Sequence, residues 1–251
     1  MPFESLPVLD IMIQFYQQER GRKRFEEYLA LMYDKKDDAL KLPLPLFNPM
    51  GKDHVPEKLN ELKNLNVESI IEECCRKVSN VLAASEQILP HSYNVSLSLA
   101  DDLMGGWTNK YSTDYSNCFA PKGLLNRHFV TPIFWTSETY NEAQIRQRVS
   151  KTLWRTVYHL QNAYSTNLLE HLQQEAFVID QIGFNAPAVH HDEYQLIVDF
   201  VRQEKNSESR AKIITFLYGD QAAKSLGYLP LGFNENNGFE LARSILTDLS
   251  Q

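Results

Sequence analysis

Apolar positions recur at helical spacing over most of this chain, and one stretch breaks the rhythm. Leu9, Met12, Ile13 and Tyr16 share one face of a predicted helix over residues 6–18. Phe25, Tyr28, Leu29 and Met32 share a face over 22–33, with Gly21 as the bend or break between the two. Residues 42–51 carry prolines at 43, 45 and 49 and cannot be helical, because each proline removes a donor and forces its predecessor extended. Their leucines predict an extended strap packed across the helices; a proline-rich ligand for a partner domain is the other reading. Pro56 suits the first turn of a short helix ending near residue 63. Asn66 reads as the N-cap of a helix over 67–86, whose stripe is Ile70, Ile71, Cys74, Val78, Val81 and Leu82.

The rhythm changes between Pro90 and Glu138. Tyr93, Val95, Leu97 and Leu99 alternate with Asn94, Ser96 and Ser98, which predicts a strand with one apolar and one polar face. Residues 129–135 form a second candidate, and Pro132 places it at an edge or a bulge. These strands predict a small antiparallel sheet, and no repeated βαβ pattern is evident.

From Thr139 onward the helical period returns and persists. Ile145, Val149, Leu153, Val157, Leu160, Tyr164, Leu168, Leu172, Ala176 and Ile179 follow at spacings of three and four, with Thr139 and Glu142 as a capping box and Gly183 as the stop. Unbroken, this helix would be roughly 60 Å long. Asn167, with Glu170 three residues on, offers a second start inside it. Further helices are predicted over 193–204, 208–218, 220–226 and 239–249, the last with Asn237 and Glu240 as a capping box. The expected fold is α+β, predominantly helical, with a small antiparallel sheet packed on a long central helix. It reads as a single domain over 1–251, within which 1–88 is a candidate helical subdomain and 89–251 holds the sheet, the long helix and the C-terminal helices.

Composition narrows the class. Apolar residues make up 43% and charged residues 23% of 251, as in ordinary globular chains. A net charge of −7 argues against sequence-independent nucleic-acid binding, which needs a basic footprint. The one dense basic run, residues 20–24, is followed by Glu26 and Glu27 and reads as a solvated helix junction. Cys74, Cys75 and Cys118 form no CxxC pair, and two of them are adjacent, so a reducing compartment is expected and no structural zinc or disulfide. The start lacks a basic leader, and no run approaches a membrane span, so a cytoplasmic protein without membrane or nucleic-acid partners is expected. A homo-oligomer is left open.

No GxxxxGK[ST], GxGxxG, HExxH or GxSxG motif occurs, so no cofactor is identified and a metal stays open. Candidate chemistry therefore rests on the polar, aromatic stretch after the first strand. Asp102, Asp114, His128 and Glu138 can supply acid, base or ligand groups, and the strand end before Asp101 can aim carboxylates into a cleft. The plain alternative is loop chemistry, in which aspartates satisfy local backbone donors. Trp107, Tyr111 and Tyr115 recur every four residues, so with Asn109 they either stack on a planar ligand or simply pack. On the long helix, Arg148, Arg155 and His159 form a polar stripe suited to an anion, or to the protein's own carboxylates. His171 and Glu175, at i and i+4, are two of the three or four ligands a zinc needs. Two functions follow. One is an intracellular enzyme or enzyme-like domain that takes a small polar substrate, neutral or anionic, between the 90–138 segment and the long helix, in a hydrolytic or transfer reaction. The other is a non-catalytic helical binding or assembly protein.

Overall fold

The computed structural model describes residues 1–34, 39–44, 46–103, 108–235 and 237–250. In chain order its elements begin with β1 (Phe3–Ser5), α1 (Leu9–Tyr16), α2 (Arg22–Met32), β2 (Tyr33–Asp34), β3 (Ala39–Leu40), α3 (His54–Asn64) and α4 (Val67–Ala84). There follow β4 (Tyr93–Val95), β5 (Ser98–Ala100), α5 (Lys110–Phe119), α6 (Lys122–Leu125), β6 (Phe129–Val130) and β7 (Ile133–Trp135). The rest is helical: α7 (Glu142–Gln161), α8 (Leu168–Ile182), α9 (His191–Glu204), α10 (Arg210–Tyr218), α11 (Asp220–Leu226), α12 (Asn237–Glu240) and α13 (Ala242–Leu249). Helix covers about 58% of the described residues, so the fold is α+β and mostly helical. The chain divides into two compact units: Met1–Lys110 with Pro121–Leu153, and Tyr111–Ala120 with Trp154–Gln251.

The first unit is built on parallel strands, not the antiparallel sheet expected. β4 pairs β1 on one side and β6 on the other, and β5 pairs β7, all in parallel. Among the described residues the one antiparallel pairing is the two-residue ladder of β2 with β3. The connections explain the direction. Between β1 and β4 the chain passes through α1 to α4, and between β5 and β6 through α5 and α6; helical crossovers of this length return a strand parallel. The alternation of residues 93–99 misled because a serine is small enough to be buried. Ser96 and Ser98 are 0% and 1% exposed, so from residue 95 onward both faces are covered, as is usual for parallel strands, and of the predicted polar face only Asn94 is exposed. The Ser96 N–H donates to Val130 O and the Ser98 N–H to Pro132 O, which carries the ladder across the break between β4 and β5. Pro132 sits between β6 and β7, each of which is at the edge of its sheet among the described residues.

The strap is core rather than a free ligand. Leu44 and Phe47 are both 1% exposed, Tyr28 Oη donates to Leu44 O at 2.8 Å, and the rings of Phe15 and Tyr28 pack on Phe47. Pro45 lies outside the described residues. Asn66 is not the side-chain cap expected: its backbone is left-handed at φ 52° and its side chain makes no cap bond. It turns the chain between α3 and α4 instead.

No continuous long helix forms. α7 ends at Gln161 and α8 begins at Leu168, because Asn167 and Glu170 close a reciprocal capping box that fixes a new start. The box at the head of α7 is Asn141 with Gln144, each side chain bonding the other's N–H at 2.9 Å, not Thr139 with Glu142. Gly183 ends α8 in the left-handed conformation, as its position predicts. In the second unit α13 packs on α8, over a core that includes Leu172, Val198, Val201, Ile214, Leu217 and Ile245. The capping role expected of Asn237 concerns a side chain outside the described set. No helix among the described residues is long and apolar enough to cross a membrane.

Candidate functional site

The register of β5 with β7 aligns Ala100 with Trp135, so the next residues on each strand, Asp101 and Asp102 beside Thr136 and Ser137, emerge together at the carboxyl ends. Asp101 is 2% exposed and takes four hydrogen bonds: from His54 Nε2 at 2.9 Å, Asn48 Nδ2 at 2.7 Å, Thr136 Oγ1 at 3.1 Å and the Leu103 N–H at 3.2 Å. Burial pushes its carboxyl upward, but these donors outweigh burial and hold it below the ordinary aspartate value. Asp101 is therefore a fixed anion that keeps the proton of His54 on Nε2. His54 Nδ1 is buried and has no hydrogen-bond partner among the described residues.

Asp102 faces outward. Its Oδ1 accepts from the Ser137 N–H at 3.0 Å and lies 3.1 Å from Thr136 Oγ1, and its Oδ2 accepts from the exposed Ser137 hydroxyl at 2.5 Å. One residue on, Glu138 meets Lys110 Nζ at 2.7 Å through Oε1 and Arg148 Nη2 at 2.6 Å through Oε2, which also accepts from Tyr140 Oη at 2.7 Å. Burial raises the Glu138 carboxyl, and Arg148, Lys110 and Tyr140 together bring it below its usual value. Arg148 also donates to Ile133 O at 2.8 Å and lies over the rings of Tyr140 and Phe134. Lys58 Nζ donates to Glu138 O at 2.7 Å and to Glu61 Oε2 at 2.5 Å.

The second unit holds a different polar cluster, in a helical core. Arg155 grips Glu175 through both carboxylate oxygens, at 2.8 and 2.7 Å, and its guanidinium lies 5.5 Å from the Phe239 ring. Tyr218 Oη donates to Asp114 Oδ2 at 2.9 Å. Cys118 O accepts from both His159 Nε2 at 2.8 Å and Gln174 Nε2 at 2.9 Å. His171 donates from Nδ1 to Asn167 O at 2.7 Å, and its Nε2 accepts from Tyr115 Oη at 2.9 Å. Both its nitrogens are engaged and Glu175 is held by Arg155, so the side chains at 171 and 175 are committed to partners within the chain. All three thiols are free and buried, and burial raises each of them: Cys75 to about 12, Cys74 above its usual value, Cys118 the furthest.

The sequence-predicted residues thus fall into separate groups. Asp102, Glu138 and Arg148 come together in the first unit, and Asn109 belongs to the same unit. Asp114, Arg155 and His159 belong to the second unit's cluster, and Tyr111 packs edge-on against Tyr218 there. His128 does not join the strand ends. It precedes β6, at the amino end of the sheet, with φ 59° and its ring stacked 4.3 Å from His91. Trp107 lies outside the described residues. The sequence reading missed His54, Asn48, Thr136 and Ser137. The last two follow from pairing Leu99 with Phe134 in parallel; nothing local marks His54 or Asn48, which arrive from the strap and from α3. No protein-family model, curated protein or solved structure matches this chain.

Proposed function

We propose that the first unit is an enzyme-like domain that takes a small polar substrate at the carboxyl ends of β5 and β7 and carries out a hydrolytic or transfer reaction. The observation behind this reading is the 2.5 Å contact of Asp102 with the exposed Ser137 hydroxyl at the ends of two parallel strands. Strand ends of this kind suit ligands because the backbone aims successive side chains into one crevice. Asp102 acts as the base that accepts a hydroxyl proton, and Asp101 with His54 forms the fixed floor beside it. Asp102→Asn keeps the size of the side chain and removes the base. Turnover of small ester, amide and phosphoester substrates should fall by roughly 10²–10⁴-fold, with the circular dichroism unchanged. Equal turnover by the variant, or a wild-type protein whose Thr136 and Ser137 amides no polar compound perturbs, would sink the proposal.

A helical assembly protein is the second reading, and it too has an observation behind it. On α2, Phe25 and Leu29 lie at i and i+4 and are 38% and 39% exposed. On the other flank of α2, a groove of about 330 Å³ is lined by Ile11, Phe15, Ala30 and Leu31 among others. Apolar surface of this kind fits a partner. Light scattering that shows an oligomer reduced to monomer by Phe25→Glu with Leu29→Glu supports it; a monomer at every concentration rejects it.

A further inference from the structure

In direct contact at Glu138, cations outnumber carboxylates among the described residues. Lys58, Lys110 and Arg148 converge on this residue and its carbonyl, against the carboxylates of Glu138 and Glu61. Two of the cations take separate oxygens of a single carboxylate. Both remain reachable from solvent, with Lys110 32% and Arg148 28% exposed, and Glu138 itself 24% exposed. The clamp is also stiff. Arg148 is anchored by Ile133 O and by the Tyr140 and Phe134 rings, so its guanidinium is oriented before any ligand arrives.

We infer that this clamp binds a phosphate-class dianion on the substrate, held between Lys110 and Arg148, with Glu138 as the internal counter-ion that the ligand displaces. The inference rests on the reading of the strand ends as a substrate site and names that substrate's class. A monoanion would only replace what Glu138 already supplies. A dianion can answer both cations at once, and its oxygens can accept from the ammonium and the planar guanidinium together. Glu138 lies one residue beyond Ser137, so a phosphate in the clamp sets the rest of the substrate beside the Asp102–Ser137 pair.

The sign of the response to mutation tests this. Inorganic phosphate is titrated by ³¹P NMR and calorimetry at fixed ionic strength, with acetate as the monoanion control. Phosphate should bind saturably to the wild type. Lys110→Gln and Arg148→Gln should weaken it at least tenfold, and Glu138→Gln should tighten it several-fold by removing the competitor. A merely structural ion pair gives no gain for Glu138→Gln. Lys110 is a third exposed, so its variant keeps the fold and decides the matter alone if Arg148→Gln unfolds. Absence of saturable phosphate binding, acetate binding as tight as phosphate, or weakening by Glu138→Gln overturns the inference. If neutral polar compounds still shift the Thr136 and Ser137 amides in that event, the strand-end site survives and only the phosphate class fails.

Discussion

Replacing Arg155 by alanine should cost the second unit about 3–5 kcal/mol, the range for breaking one side of a buried ion pair. The pair is nearly closed off: the Glu175 side chain is 2% exposed and that of Arg155 13%. The guanidinium donates to both oxygens, so its loss leaves a desolvated carboxylate without its bidentate partner. The effect extends further, because Gln174 and His159, which meet at Cys118 O, flank the same pair on α8 and α7. Urea unfolding should show a lower midpoint for Arg155→Ala. A double change to methionine at 155 and 175 should recover much of the loss, since no charge then remains to be paired. A single alanine variant as stable as wild type would instead mark Arg155 as held for a ligand at the expense of the fold. The fork already filled by Glu175 argues for the structural role.

Helical periodicity carried most of the architecture because the 3.6-residue period survives burial on one face. The helices from α9 to α11 start and stop within about two residues of their sequence-based limits, and Gly183 ends α8 where it should. The strands were harder to read. Burial on both faces normally produces a continuous apolar run, but over residues 96–99 the buried Ser96 and Ser98 alternate with Leu97 and Leu99, so a core segment imitated a half-exposed strand. Parallel pairing then stayed hidden, and with it the alignment that sets Asp101 and Asp102 against Thr136 and Ser137. The break at Asn167 was visible as a capping box. The apolar spacing ran on through it because Leu168 and Leu172 continue the stripe in a new helix.

Of the candidate chemistry, the carboxylates were legible and their partners were not. Asp102 and Glu138 stood out as acids beside predicted strands, and Arg148 as a helix cation, because residue type and element end are local facts. His54, Asn48 and Lys58 reach the same place from residues 48–58, far along the chain, and only the fold brings them there. His128 shows the converse. It lies close in sequence to β6 and β7 yet precedes the strands whose far ends carry the acids. Residue type suggested a base, and strand direction removes it from the group.

Mild acid should loosen the second unit. His159 and His171 are 7% and 0% exposed, and both titrate below the ordinary histidine value. For His159, burial lowers it most and Arg155 and His171 lower it further, against Cys118 O and Glu175, which favour the charged form. For His171, burial dominates over the opposing pull of Asn167 O, Glu175 and Glu170. Its geometry agrees: Nε2 accepts from Tyr115 Oη, so a proton there would turn donor against donor unless the hydroxyl swings away. His159 Nδ1 is buried with no partner among the described residues, so a proton on it would be uncompensated. The sign follows from linkage. Below about pH 6.5 the unfolded histidines bind protons and the folded ones do not, so stability is complete above that value and falls as pH drops toward the folded values. Each histidine contributes up to about 1.4 kcal/mol per pH unit in that window. The urea midpoint should therefore hold from pH 7.5 to about 6.5 and fall from there to pH 5, and His159→Gln and His171→Gln should each remove about half of that slope. Asp101 and Glu138, in the first unit, have depressed values, so their contributions are lost only in stronger acid, as pH falls below the ordinary carboxylate range. A midpoint that stays flat between pH 7.5 and 5 would show that neither imidazole is kept neutral by the fold.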